Sequence, residues 1–87
     1  MVSEKVTIKN QSGLHLRPAG ELCNRAINYK SKISFQFRDV TANAKSVLSV
    51  LGACIQCGDE ITLICEGEDE EEALKGMLGA VNEGLGE

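Results

Sequence analysis

Ser12-Gly13-Leu14-His15-Leu16-Arg17-Pro18-Ala19-Gly20 is the stretch from which the rest of the chain is best read. A glycine turn runs into a proline, and apolar residues at helical spacing follow: Ala19, Leu22, Cys23, Ala26 and Ile27. Proline favours the first turn of a helix, where its missing N–H would have no partner anyway. The spacing predicts an amphipathic helix from about residue 16 to 28. His15, the one histidine of the chain, then stands at or beside the helix N-terminus. Free backbone N–H groups and the positive end of the helix dipole attract anions there. Arg17 adds a permanently charged fork of donors suited to phosphate. The combination suits an imidazole that takes up a phosphoryl group and gives it away, although a lone histidine before a helix is also a common polar cap.

Working outward, Val6 and Ile8 alternate with Lys5, Thr7 and Lys9 as a half-buried strand. Ile33, Phe35 and Phe37 alternate with Ser34 and Gln36 as a second strand. Arg38-Asp39 is expected to form a two-residue hairpin turn, because Asp tolerates left-handed backbone. Val40, Ala42 and Ala44 alternate as a third strand, and Ser46 reads as the N-cap of a short helix over about 47 to 52. Gly58-Asp59 turns the chain into a fourth strand, with Ile61, Leu63 and Cys65 on one face. Asp69 is expected to cap the last helix, Glu70 to Glu72 to complement its dipole, and Ala73, Leu74, Met77, Leu78 and Val81 to form its buried stripe. Gly76 and Gly79 cost that helix about 1 kcal/mol each relative to Ala, which close packing on a sheet would explain. The order βαββαβα, with one apolar face per strand, predicts an α+β layer fold with helices on a single side of the sheet. No linker, repeat or low-complexity tract divides residues 1–87, which read as one domain.

Eighty-seven residues suffice for one modest core and not for an enclosed cavity. Aromatic residues are 3% of the chain, so the core is aliphatic. A net charge of −4 argues against direct nucleic-acid binding. No apolar run approaches the roughly 20 residues of a membrane span, and no secretion signal stands at the start. A cytoplasmic protein without membrane insertion is expected. The four cysteines, Cys23, Cys54, Cys57 and Cys65, are accordingly expected as free thiols. Cys23 and Cys65 point toward the core by periodicity. Cys54-Ile55-Gln56-Cys57 has the spacing of a redox pair or half a zinc site, yet two further ligands would be needed for zinc. No metal and no cofactor is expected.

The string SGLHLRPAG closely resembles the active-site segment of the HPr family, the histidine-containing phosphocarriers of the phosphoenolpyruvate-dependent sugar phosphotransferase system. The resemblance extends through the chain length, the order of elements, Ala44-Lys45-Ser46 and Gly67-Glu68-Asp69-Glu70. It implies the HPr-like open-faced β-sandwich, with four antiparallel strands and three helices on one face. It implies that His15 carries the phosphoryl group on Nδ1, that Arg17 stabilises the phosphate and that Pro18 starts the helix. Ser12 lies where the family often has a small polar residue, and the resemblance implies a hydrogen bond from it near the imidazole. Leu16 stands in place of a common small Ala or Thr and Gly20 in place of a common Ala, so Leu16 adds bulk where partners dock. The implied donor is Enzyme I and the implied acceptors are IIA units of sugar permeases, served by a monomer. Such a carrier is not an enzyme in the strict sense, since it is itself consumed and regenerated.

Ser46 has two compatible readings. As an N-cap it contributes about 0.5–2 kcal/mol. By resemblance it matches the serine that an ATP-dependent kinase phosphorylates in HPr of low-GC Gram-positive bacteria, with a phosphorylase as the counterpart. The product there is a co-regulator that works with a catabolite-control transcription factor, whereas enteric HPr proteins keep the serine without that regulation. Val47, Leu48 and Leu51 match the family's partner-docking patch, and an apolar surface there fits a contact site. Leu48 and Cys54 depart from the low-GC pattern. Two other readings stand beside the carrier. One is a regulatory HPr paralogue acting as a protein-binding co-effector in catabolite control, a type that often lacks the histidine. The other is a small thiol or metal protein built on Cys54 and Cys57.

Overall fold

The structure, a computed structural model, describes residues Met1–Glu87. Seven elements follow in the order β1 (Val2–Thr7), α1 (Leu16–Ala26), β2 (Lys32–Phe37), β3 (Val40–Asn43), α2 (Val47–Gly52), β4 (Glu60–Glu66) and α3 (Glu70–Asn82). The strands form one antiparallel sheet in the order β1-β4-β2-β3.

Register follows from the alternating apolar residues. Val6 pairs with Ile61, Ile33 with Cys65, and Phe35 with both Leu63 and Ala42. Cross-strand partners project to the same face, and all of these side chains are buried. The opposite face carries residues such as Lys5, Gln36 and Thr41 and has no helix over it. On the covered face α3 lies over β1 and β4, α2 lies beside β3, and α1 packs against both helices. Leu22, Met77 and Val81 of the helices join the strand residues in one aliphatic-rich core. The α+β arrangement expected from the element order is therefore the one observed.

Several local expectations are corrected. The first strand starts at Val2, three residues before the alternation becomes visible. Ile8 lies past its end, yet is fully buried because its backbone pairs with the Gly58-Asp59 turn. Ile27 follows the end of α1 and is 58% exposed, outside the buried stripe. Cys23 is half-buried and Cys65 fully so. In the β2–β3 turn the left-handed residue is Arg38, with φ 55°, and not Asp39. Positive φ at the first central position alone is the pattern of a type II′ hairpin turn.

Asp69 occupies the N-cap position of α3 without capping it. Its carboxylate instead accepts the backbone N–H groups of Lys30 and Ser31, each at 2.9 Å, and the Ser31 hydroxyl. These bonds, the Ser31 hydroxyl first, hold the Asp69 carboxyl down at about 2. Nor do the α3 glycines approach the sheet. A Cβ at Gly76 would overlap the Tyr29 hydroxyl, and one at Gly79 would meet only the Glu83 side chain. In the α3 stripe Ala73, Met77, Ala80 and Val81 are buried, while Leu74 and Leu78 are partly covered.

Candidate functional site

The β1–α1 loop is fastened at both ends before it reaches His15. At the base, Ile8 N–H donates to the Asp59 carbonyl at 2.9 Å and Gly58 N–H donates to the Ile8 carbonyl at 2.8 Å. Gly13 N–H donates to the Asn10 carbonyl at 2.9 Å, closing a turn in which Gly13 has φ 69°. Leu14 is buried, and its N–H donates to the Ile55 carbonyl at 3.0 Å. The residue after Leu14 must therefore emerge at the surface, and that residue is His15.

His15 is the N-cap residue of α1, with extended backbone, and its carbonyl accepts from Ala19 N–H at 2.9 Å. Its side chain makes no capping bond, so the plain-cap reading of this histidine does not hold. The N–H groups of Leu16 and Arg17 lie in the first turn, where an α-helix offers them no partner. Pro18 has none to satisfy and is buried under the turn. No acidic residue stands in the first turn of α1, in contrast to Glu70, Glu71 and Glu72 in α3. The α1 end is thus left electropositive, with the exposed Arg17 beside it.

The imidazole is 42% exposed. Its Nε2 lies 3.1 Å from Glu87 Oε2, and its Nδ1 has no hydrogen-bond partner. Glu87 is fixed in turn by Asn10, whose Nδ2 donates to Glu87 Oε1 at 2.7 Å and to the Gly84 carbonyl at 2.9 Å. The Asn10 bond first, then His15 and Arg17, hold the Glu87 carboxyl below the usual carboxylate range despite partial burial. Neither Asn10 nor Glu87 stood out in the sequence, because no local spacing links residues 72 and 77 positions apart. Ser12 is exposed and its hydroxyl makes no bond to the imidazole; it lines a polar surface depression with Lys9, Asn10, Gln11, Gly84 and Glu87.

Ser46 lies at the N-cap of α2, and its hydroxyl accepts from Ser49 N–H at 3.3 Å. Leu48 in the first turn of α2 is 78% exposed, whereas Val47 and Leu51 are partly buried against the core; on α1, Leu16 is 69% exposed. Of the three residues expected in the docking patch, only Leu48 therefore presents a largely free apolar surface. Cys54 and Cys57 are both exposed. The Cys57 thiol approaches the Lys9 carbonyl at 3.8 Å, and no three His, Cys, Asp or Glu side chains gather as a metal-holding group. No helix is long and apolar enough to cross a membrane.

Comparison with known proteins places this geometry in a family. The family model described as "PTS HPr component phosphorylation site" matches residues 2–83. HPr-like protein Crh of Bacillus subtilis is 35% identical over 95% of this chain and 98% of its own length. Phosphocarrier protein HPr of Lysinibacillus sphaericus is 34% identical over 95% of this chain and 94% of its own. The crystal structure of HPr-C-His from Thermoanaerobacter tengcongensis superposes with a TM-score of 0.95 at 33% identity, covering 100% of this chain and 98% of that one. With its four-stranded antiparallel sheet, three helices on one face and exposed histidine at the first helix N-terminus, the chain belongs to the HPr family of the phosphotransferase system.

Proposed function

We propose that the chain is a phosphocarrier that accepts a phosphoryl group on His15 from phosphorylated Enzyme I and passes it to IIA units of sugar permeases. The observation that carries this reading is the state of His15: half-exposed, at the N-terminus of a helix with no acidic residue in its first turn, with Nδ1 unpartnered. An attacking nitrogen must keep its lone pair and must be reachable by another protein, and Nδ1 meets both needs. The first-turn N–H groups of α1 and the Arg17 guanidinium then hold the dianionic product by charge-assisted hydrogen bonds. Pro18 presets the first turn, and the Leu16 side chain flanks the nucleophile where a partner would approach. Ser12 acts only through the loop. The carrier works as a monomer in the cytoplasm, with no cofactor and no metal. Incubation with Enzyme I and phosphoenolpyruvate tests the reading by intact mass. One acid-labile phosphoryl group on the wild type and none on His15→Ala is the expected result.

A second phosphorylation at Ser46, by an ATP-dependent serine kinase and reversed by a phosphorylase, belongs to the same reading. A phosphate there adds roughly −1.5 to −2 charges next to Leu48 and weakens docking of an acidic donor. The modified chain is then a candidate co-regulator for a catabolite-control transcription factor. Acid-stable phosphate that disappears in Ser46→Ala is the expected outcome with such a kinase. The likeness to HPr-like protein Crh favours a second reading, a regulatory paralogue that binds proteins without relaying phosphate. A folded chain that takes nothing from an active Enzyme I would select that reading.

A further inference from the structure

We propose that Glu87, clamped by Asn10, is a positioning residue for His15: it fixes the proton on Nε2 and pairs with the imidazolium formed when Nδ1 takes the phosphoryl group. The proposal rests on the phosphocarrier reading for its second half, and its first half concerns the unphosphorylated chain alone.

Three observations converge. The first is the contact itself, Glu87 Oε2 at 3.1 Å from Nε2. An ionised carboxylate only accepts hydrogen bonds, so Nε2 is the donor and the lone pair of the neutral ring is left on Nδ1. The second is that Glu87 is not a free surface side chain. Asn10 Nδ2 holds its other oxygen at 2.7 Å while also holding the Gly84 carbonyl, and both of those partners are acceptors, which fixes the orientation of the amide. The third is the condition of Asn10. It is 5% exposed, and its Oδ1 is buried with no partner. A buried, half-satisfied amide costs stability, and an apolar residue of similar size would avoid that cost. What this asparagine does provide is a rigid seat for the carboxylate. A carboxylate that orients a histidine from behind sets its tautomer.

The transfer balances without an added proton. Nδ1 attacks the phosphorus of the donor's phosphohistidine, the donor's P–N bond breaks, and a new P–Nδ1 bond forms. The Nε2 proton stays in place, so the ring of the product carries a positive charge opposite Glu87. On the return step the same protonated ring is the leaving group, and its lone pair returns to Nδ1. Glu87 thereby stabilises the loaded carrier without touching the phosphoryl group.

Nitrogen-15 NMR of the His15 ring, before and after phosphorylation, tests this in the wild type and in Glu87→Gln, Glu87→Ala and Asn10→Ala. Urea unfolding of each variant establishes that it is folded. In the unphosphorylated wild type the neutral ring is expected almost wholly as the Nε2–H tautomer, with a measurable Nδ1–H population in Glu87→Ala. In the phosphorylated chain the ring is expected to lose its proton about three- to tenfold more readily in Glu87→Gln, the effect of removing one half-exposed opposite charge. Asn10→Ala is expected to move both readouts in the same direction without altering any charge. Folded variants with unchanged tautomer and unchanged ring titration would overturn the proposal while the carrier reading stands. A wild type that takes up no phosphoryl group would defeat the carrier reading, and the tautomer comparison would still decide whether Glu87 orients His15.

Discussion

Replacing Gly13 by Ala is expected to unlatch the His15 loop, whereas the same change at Gly20 is expected to stabilise the protein. Gly13 has φ 69°, and a Cβ there would overlap the Ile55 carbonyl and approach Gln56 Cα to 2.7 Å. The left-handed backbone costs an L-residue about 1 kcal/mol or more. The overlap is with main chain, which cannot swing aside as a flexible side chain can, and overpacking of this kind costs about 1–3 kcal/mol. Together these give a loss of about 2–4 kcal/mol, a large part of the stability of an 87-residue chain. At ~4–8 °C per kcal/mol for a domain of this size, Tm falls by about 8 °C or more. The bond from Leu14 N–H to Ile55 lies at the point of overlap, so phosphoryl uptake at His15 is expected to fall as well, even where the protein remains folded. Gly20 sits inside α1 with nothing within 4 Å of an added Cβ, and Ala there is expected to add about 0.5–1 kcal/mol. Urea titration of the two variants beside the wild type reads both signs. A neutral Gly13→Ala, or a destabilised Gly20→Ala, would refute the reasoning.

Three further outcomes are expected. The Asp69 carboxyl, held at about 2 in the folded chain, contributes stability that is fully present above the ordinary aspartate range and is lost as the pH falls through that range toward 2. Asp69→Asn should therefore lower the urea midpoint near neutral pH, with the gap to wild type closing in acid. Ser46→Ala removes the α2 cap and should cost about 1 kcal/mol by urea titration, with phosphoryl uptake at His15 retained. Leu48→Ala and Leu16→Ala change stability by no more than about 0.5 kcal/mol, because both side chains are largely exposed; under the proposed function they slow transfer from Enzyme I in a stopped-time phosphorylation assay.

Much of this fold was legible because its signals are local. Ile33, Phe35, Ile61, Leu63 and Cys65 alternate, and in the structure all of them face the helices. The Ser46 cap was readable for the same reason: its hydroxyl needs only the N–H three residues on. What escaped the sequence is long-range. Asp69 looked like a cap, but Lys30 and Ser31, 39 and 38 positions away, take its carboxylate instead. Val2, Ser3 and Glu4 carry no clear alternation because β1 is an edge strand, where a charged residue reaches solvent from the covered side. At the candidate site, His15, Arg17 and Pro18 announced themselves as a motif. Asn10 and Glu87 did not, since only folding brings Glu87 to the imidazole and to Asn10.

The most direct test of the central claim is a relay. The chain is loaded with phosphate by Enzyme I and phosphoenolpyruvate, separated from both, and mixed with a purified IIA protein, and the intact masses of both proteins are followed over time. Loss of one phosphoryl group from this chain, with its appearance on the IIA protein, is the predicted result. A chain that cannot be loaded at His15, or that keeps its phosphoryl group in the presence of competent IIA acceptors, would contradict the carrier function.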